Sequence, residues 1–173
     1  NILSKNLVLT GMMGVGKSTI GKILAEKLSF NFKDIDNLIE EKEKNSISQI
    51  FKKKSEPYFR KIENEVTLRE LKNSNNVISL GGGAFLDKSI RRAVKNSGVS
   101  FWLDVSGEEL IKRLRNSKKR PLLMKKNFSE NINKIYLERM KTYSESDYRI
   151  KCNFLKPEEI ASRILNLYEN SGN

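Results

Sequence analysis

The chain has 173 residues, of which 38% are hydrophobic and 31% charged, a composition typical of a single globular domain with a buried core. Residues 1–5 lack the apolar segment of a signal peptide and no apolar run is long enough to cross a membrane, so we expect a cytoplasmic protein without a membrane partner. The single cysteine, Cys152, excludes an internal disulfide, and a chain without histidine disfavours a catalytic thiol; Cys152 is interpreted as core or surface filler.

The formal net charge of +12 favours anionic partners, either nucleic acids or small anionic substrates. A nucleic-acid-binding protein is expected to carry a basic stripe interleaved with aromatic side chains. The lysines here are instead scattered over the chain, with one denser basic region at 113–126. The charge pattern therefore favours small anionic molecules and predicts no nucleic-acid partner.

A glycine-rich stretch near the start of the chain, GMMGVGKST at 11–19, fits the pattern GxxxxGK[ST]. It follows a short apolar run at 7–9, suited to a buried strand, and precedes apolar residues at helical spacing through 19–28. Strand, glycine loop and helix form the context of a phosphate-binding loop, in which backbone N–H groups and a helix N-terminus hold phosphate oxygens. The alternative is a glycine-rich turn with an incidental Lys-Ser pair. The context favours a nucleoside triphosphate site.

Strand and helix patterns alternate along the rest of the chain. Strands are predicted at 31–34, 77–80, 99–103 and 148–152, and helices at 36–44, 48–51, 56–71, 87–95, 108–114, 129–143 and 157–167. This alternation predicts a parallel sheet with helices on both faces and ligands at the carboxyl ends of its strands. No internal repeat or linker divides the chain.

Two carboxylates, Asp34 and Asp36, follow the second predicted strand. If extended backbone continued through them, period-two alternation would point both toward the same side. Beside a triphosphate, one could hold the water shell of a metal ion and the other contact a substrate hydroxyl. The alternative is that Asp36 is an ordinary helix cap. The nearby phosphate loop favours the functional interpretation.

Arg60 and Glu63 lie three positions apart on a predicted helix and so share one of its faces. A surface ion pair would explain this spacing. Alternatively, Glu63 orients Arg60 to bind an anionic substrate through two guanidinium nitrogens.

Three consecutive glycines, Gly81, Gly82 and Gly83, follow the third predicted strand. Without side chains they allow a ligand to approach the backbone closely. A flexible turn is the alternative, although three glycines would then cost conformational entropy without a gain.

Together these segments resemble the shikimate kinase family, compact relatives of the nucleoside monophosphate kinases. The resemblance covers nearly the whole chain and rests on segments 11–19, 34–36 (DID), 59–63 (FRKIE), 79–83 (SLGGG), 120–123 (RPLL) and 138–143 (ERMKTY). It implies an α/β, three-layer P-loop NTPase fold with a five-stranded parallel sheet in the order 2-3-1-4-5, helices on both faces and a mobile lid. It further implies one kinase domain over 1–173, with a shikimate-binding region at about 34–63 and the lid at about 116–126.

The resemblance also implies an activity. A shikimate kinase uses Mg²⁺ and ATP to phosphorylate the 3-hydroxyl of shikimate, giving shikimate 3-phosphate and ADP, in chorismate and aromatic amino acid biosynthesis. A monomer is expected, with shikimate and ATP as its partners.

By position, the resemblance implies roles for individual residues. Catalytic roles fall on Lys17, Asp36 and Arg120. Nucleotide contacts fall on Gly14, Val15, Gly16, Lys17, Ser18, Thr19, Arg113 and Arg120, with Arg113 stacked on adenine. Shikimate contacts fall on Asp36, Arg60, Gly81, Gly82, Gly83 and Arg139. Ser18 would bind Mg²⁺ directly, with Asp34 and Ser79 behind it.

The chain departs from the family pattern at Lys141, where the family usually has a proline two residues after the arginine that corresponds to Arg139. Two other functions remain as alternatives. One is another small-molecule kinase with a phosphate loop, such as a gluconate kinase. The other is a regulatory NTPase that binds nucleic acid.

Overall fold

The sheet at the centre of the protein is parallel and five-stranded. The computed structural model describes residues 5–115 and 127–171, and in it the strands are ordered β2-β3-β1-β4-β5, which confirms the predicted order. The strands are β1 (Asn6–Thr10), β2 (Asn31–Asp34), β3 (Asn76–Ser79), β4 (Gly98–Asp104) and β5 (Tyr148–Lys151). Leu9 of β1 lies opposite Ser79 of β3 and Phe101 of β4, so the carboxyl ends of the three central strands lie at the same edge of the sheet.

Helices connect the strands along the described chain. They are α1 (Lys17–Leu28), α2 (Ile35–Glu43), α3 (Ile47–Lys53), α4 (Glu56–Leu71), α5 (Lys88–Ser97), α6 (Gly107–Arg115), α7 (Phe128–Tyr143) and α8 (Pro157–Glu169), with a 3₁₀ turn at Ala84–Leu86. Because crossovers between parallel strands are right-handed as a rule, this strand order implies that α1 lies on one face of the sheet and α4, α5 and α7 on the other. The predicted elements are confirmed with small shifts at their ends.

The helix starts follow from local side-chain chemistry. Ser55 accepts a hydrogen bond from the backbone N–H of Tyr58, and Pro57 occupies the first turn of α4, where a missing N–H costs nothing. Asp87 caps α5 by accepting from the N–H groups of Ser89 and Ile90, at the position where the sequence predicts a helix to begin. These caps fix where α4 and α5 begin.

The core is built from strands that are covered on both faces. Every residue of β1, β3 and β4 is buried, as expected for central strands of a parallel sheet. Helix α4 buries the apolar residues Phe59, Ile62, Val66 and Leu71, which recur at helical spacing. The rigid central strands therefore end in the loops where ligands are expected.

Cys152 lies just beyond β5 and is fully buried. Burial raises the pKa of its thiol to about 11, so the thiolate is scarce at neutral pH. This confirms its interpretation as part of the core. Among the described residues, no helix combines the length and apolar composition needed to cross a membrane.

Candidate active site

The phosphate loop joins β1 to α1 and depends on glycine for its shape. Gly14 and Gly16 have φ angles of 85° and 95°, a region in which residues with a side chain are strained. Gly16 is the N-cap of α1 and has no side chain that could cap the first N–H groups of the helix. Such N–H groups form an anion-binding site.

Lys17 lies in the first turn of α1 with its ammonium folded over this loop. Its Nζ donates hydrogen bonds to the carbonyl oxygens of Gly11 at 2.7 Å and Met12 at 3.0 Å. The structure therefore brings the positive charge to the loop that is predicted to hold phosphates.

Three oxygen-bearing side chains lie near one another: Ser18 in the first turn of α1, and Asp34 and Ser79 at the ends of β2 and β3. The hydroxyl of Ser18 donates to Oδ2 of Asp34 at 2.8 Å, and Asp34 is paired across the sheet with Ser79. Hydroxyl and carboxylate oxygens are the hard ligands that Mg²⁺ prefers, so this donor set fits that ion.

One cavity of about 270 Å³ joins these features. It is lined by residues of the phosphate loop, of α2 and of the segment after β3: Met13, Gly14, Gly16, Lys17, Ser18, Thr19, Asp34, Asp36, Ser79, Leu80 and Gly82. A triphosphate on the loop would therefore share a space with both aspartates.

The prediction that extended backbone continues through Asp34 and Asp36, and so points both to the same side, is wrong. Extended backbone ends at Asp34, and α2 begins at Ile35 because Oδ1 of Asp34 accepts the N–H of Asn37 at 3.3 Å. The alternative that Asp36 caps the helix is wrong for the same reason, since Asp34 is the cap. Asp36 still reaches the cavity from the first turn of α2.

The three glycines after β3 are needed for close packing. A Cβ on Gly81 would lie 2.8 Å from Glu63 Oε2 and 2.9 Å from Asp36 Oδ1. A Cβ on Gly83 would lie 2.6 Å from Arg60 Nη2, and one on Gly82 would lie 3.3 Å from Arg139 Nη1. The structure thus gathers four charged side chains of the predicted site around these glycines.

Glu63 is not part of a surface ion pair, which corrects that alternative. Only 2% of it is exposed, and its Oε1 accepts from Arg60 Nη1 at 2.9 Å. Burial raises the pKa of the Glu63 carboxyl, and the Arg60 guanidinium opposes this rise. A buried carboxylate with one close cation fixes that cation firmly, because separating them would leave an unpaired buried charge.

Arg139 approaches Gly82 from α7, with Nη1 at 4.0 Å from Met12 Sδ. Tyr143, one turn later on α7, is fully buried and donates its hydroxyl to the carbonyl oxygen of Gly82. Sequence reasoning used Tyr143 only as a motif residue and missed this contact. The sequence signal for a role of Tyr143 in the site is its position four residues after Arg139, which places both side chains on the same face of the helix.

Arg113 lies against the phosphate loop from α6. Its Nη1 is 3.4 Å from the carbonyl oxygens of Gly14 and Val15, and its Nε pairs with Glu109 at 3.2 Å. Contact with adenine stays a prediction. Arg120 and the predicted lid at 116–126 lie outside the described residues.

Comparisons with known proteins find similarity over almost the whole chain. The model of the family named Shikimate kinase matches residues 13–169. The shikimate kinase of Persephonella marina is 43% identical over 93% of this chain and 97% of its own length, and that of Thermodesulfovibrio yellowstonii is 39% identical over 98% of each. The solved structure of a shikimate kinase from Acinetobacter baumannii in complex with shikimate has a TM-score of 0.91 and 32% identity, covering 98% of this chain and 96% of that one. Because these similarities extend over almost the whole chain, it belongs to the shikimate kinase family of ATP-dependent kinases.

Proposed function

We propose that this protein transfers the γ-phosphoryl group of ATP to the 3-hydroxyl of shikimate, giving shikimate 3-phosphate and ADP. The observation that carries the proposal is the convergence of Asp36, Arg60 and Arg139 on the glycines at 81–83, beside the cavity of the phosphate loop. Two guanidinium groups can bind the carboxylate of a substrate through charge-assisted hydrogen bonds, and a carboxylate of the protein can accept a hydrogen bond from a substrate hydroxyl. The complex of the A. baumannii relative with shikimate supports the choice of acceptor.

On the acceptor side, Arg60 and Arg139 bind the shikimate carboxylate, and Glu63 holds Arg60 in place. The glycines at 81 and 83 leave room beside the backbone for the side chains of Glu63, Asp36 and Arg60, as the short distances to their Cβ positions show. Asp36 accepts a hydrogen bond from the 3-hydroxyl and takes its proton as the oxygen attacks.

On the donor side, the loop amides from Gly14 to Thr19 hold the phosphates of ATP. The Lys17 ammonium exchanges its carbonyl partners for phosphate oxygens. The 3-oxygen forms a bond to the γ-phosphorus as the bond to the bridging oxygen of ADP breaks, and the departing charge remains on ADP. Catalysis is then mostly positioning and charge compensation. Arg113 and Arg120 complete the proposed nucleotide contacts.

Mg²⁺ is proposed as the metal because the oxygen donors beside the loop fit it. Ser18 would bind the ion directly, while Asp34 and Ser79 would hold its water molecules. When bound, the ion neutralises phosphate charge and so lowers the barrier to transfer.

ADP release with a panel of acceptors tests the proposal. Shikimate is expected to stimulate release strongly, whereas gluconate and nucleoside monophosphates are not, because they lack a ring carboxylate placed for two arginines. Equal turnover of shikimate and gluconate would contradict the assignment and favour the alternative small-molecule kinase.

We also propose that 1–173 acts as one cytoplasmic kinase domain and as a monomer, without nucleic-acid or membrane partners. The scattered distribution of the +12 charge supports the part of this proposal that concerns nucleic acids. Light scattering in solution measures the mass, and a gel-shift assay with DNA and RNA at moderate salt measures nucleic-acid binding. Tight binding there would support a regulatory NTPase instead.

Gly83→Ala is expected to raise the KM for shikimate by roughly tenfold or more, the order of a lost hydrogen bond to a charged group. Gly83 has a φ of −100°, which alanine adopts without strain, but the new Cβ would displace the Arg60 guanidinium. Because the tip of Arg60 can move, the melting temperature should change little.

Gly107→Ala is the matched control for this variant. Its Cβ would also meet the tip of a flexible side chain, Asn133, but outside the proposed site. Initial rates at varied shikimate measure both variants. The same KM in both would show that Arg60 is not constrained by Gly83.

A further inference from the structure

Helix α7 is joined to the sheet by two tyrosines that lie on either side of Arg139. Tyr136, Arg139 and Tyr143 are three and four positions apart, so they share one face of the helix. The hydroxyl of Tyr136 donates to Oδ1 of Asp104 at 2.7 Å, and that of Tyr143 donates to the Gly82 carbonyl. Arg139 therefore projects from a stretch of helix that is fixed at both ends.

The first of these hydrogen bonds, from Tyr136 to Asp104, ends on a buried residue. Asp104 ends β4 and is 6% exposed, and its Oδ2 accepts from Nε and Nη2 of Arg149 at 2.8 and 2.6 Å. The Arg149 guanidinium lies over the ring of buried Trp102, 4.5 Å from its centroid. Burial, together with the hydrogen bond to Asp104, raises the pKa of Tyr136 to about 12, so its hydroxyl remains a donor at neutral pH.

The second hydrogen bond, from Tyr143 to Gly82, lies inside the candidate site. The Tyr143 ring is fully buried, 5.8 Å from Trp102, and burial raises its pKa while the nearby Arg139 guanidinium lowers it. Gly82, which accepts the Tyr143 hydroxyl, is also the glycine that Arg139 approaches. A single hydroxyl thus links the helix that carries the arginine to the turn that faces it.

We propose that Asp104, Tyr136 and Tyr143 are positioning residues that hold Arg139 where it meets the carboxylate of the acceptor. The inference rests on the proposed function, in which Arg139 binds that carboxylate. None of the three residues needs to touch the substrate. Their effect follows from the steep loss of binding when a charged group is misplaced by a fraction of its hydrogen-bond length.

Three tyrosine variants test this inference. Tyr143→Phe and Tyr136→Phe should each raise the KM for shikimate by roughly three- to tenfold, the effect of a weakened hydrogen bond, with kcat and the KM for ATP within about twofold. Tyr168→Phe is the matched control, because its buried hydroxyl also donates to a backbone carbonyl, that of Lys5, at 2.5 Å. It should lower the melting temperature only.

Shikimate methyl ester separates positioning from general damage to the fold. The ester lacks the charge that Arg139 binds, so Tyr143→Phe and Tyr136→Phe should leave its KM close to that of the unmodified protein. An equal rise for acid and ester, or a KM for shikimate like that of Tyr168→Phe, would overturn the inference while the proposed function stands.

Two remaining outcomes are also decisive. If Tyr143→Phe fails to fold, the half-buried Tyr136→Phe decides the inference by the same measurements. If the unmodified protein does not phosphorylate shikimate at all, the proposed function fails, and this inference fails with it.

Discussion

Lys17→Met is expected to lower kcat by about a hundredfold or more, the order found when one preorganised charge donor is removed. In the structure the ammonium lies on the carbonyls of Gly11 and Met12, at the loop that would hold the triphosphate. Charge accumulates on the phosphate oxygens during transfer, so the ammonium contributes most in the transition state. The KM for shikimate should change little.

Lys22→Met provides the control for Lys17→Met. Lys22 lies on the same helix but is exposed, outside the cavity lining. Both variants lose one positive charge from α1, so a general electrostatic effect would lower both rates. Single-turnover rates at saturating ATP measure the chemical step, and a near-normal rate in folded Lys17→Met would refute its role.

Asp36→Asn is expected to reduce kcat by roughly a hundredfold, within the range for a lost general base, with ATP affinity nearly unchanged. The asparagine keeps the size and reach of the side chain but removes the charge that makes the carboxylate a good proton acceptor. The cap of α2 is unaffected because it belongs to Asp34. An active Asp36→Asn protein would reject this role.

Asp34→Asn, compared with Asp36→Asn, tests whether the two aspartates have separate roles. Asparagine caps helices as well as aspartate does, so α2 should be retained. The carboxylate that accepts the Ser18 hydroxyl at 2.8 Å is lost, however, and the Mg²⁺ concentration needed for half-maximal rate should rise. Identical Mg²⁺ titrations for Asp34→Asn and Asp36→Asn would contradict the separate roles.

Much of the fold could be predicted because its signals are local. The burial of both faces of β1 follows from an unbroken apolar run, and the cap at Asp87 follows from its place before a helical pattern. The strand order came from the resemblance to a family, since parallel pairing joins segments far apart in sequence and leaves little local trace.

The parts of the site that could not be predicted depend on contacts between distant segments. Two aspartates in the segment 34–36 offer two candidate caps, and only the pairing of Asp34 with Ser79 shows where the strand ends. Glu63 looks like a surface residue by type, and its burial follows from the packing of α4 against the glycines. Tyr143 meets Gly82 across 61 positions of the chain, a contact that helical periodicity alone does not reveal.

The crowding around the glycines at 81–83 has a consequence for inhibitor resistance. Enzymes often escape a drug by enlarging a side chain that lines its binding site. Here the smallest enlargement, a methyl group, would already meet Glu63, Asp36 or Arg60 at 2.6 to 2.9 Å when placed on Gly81 or Gly83. A compound anchored on this wall would leave the protein few substitutions that exclude the compound and still admit the natural acceptor.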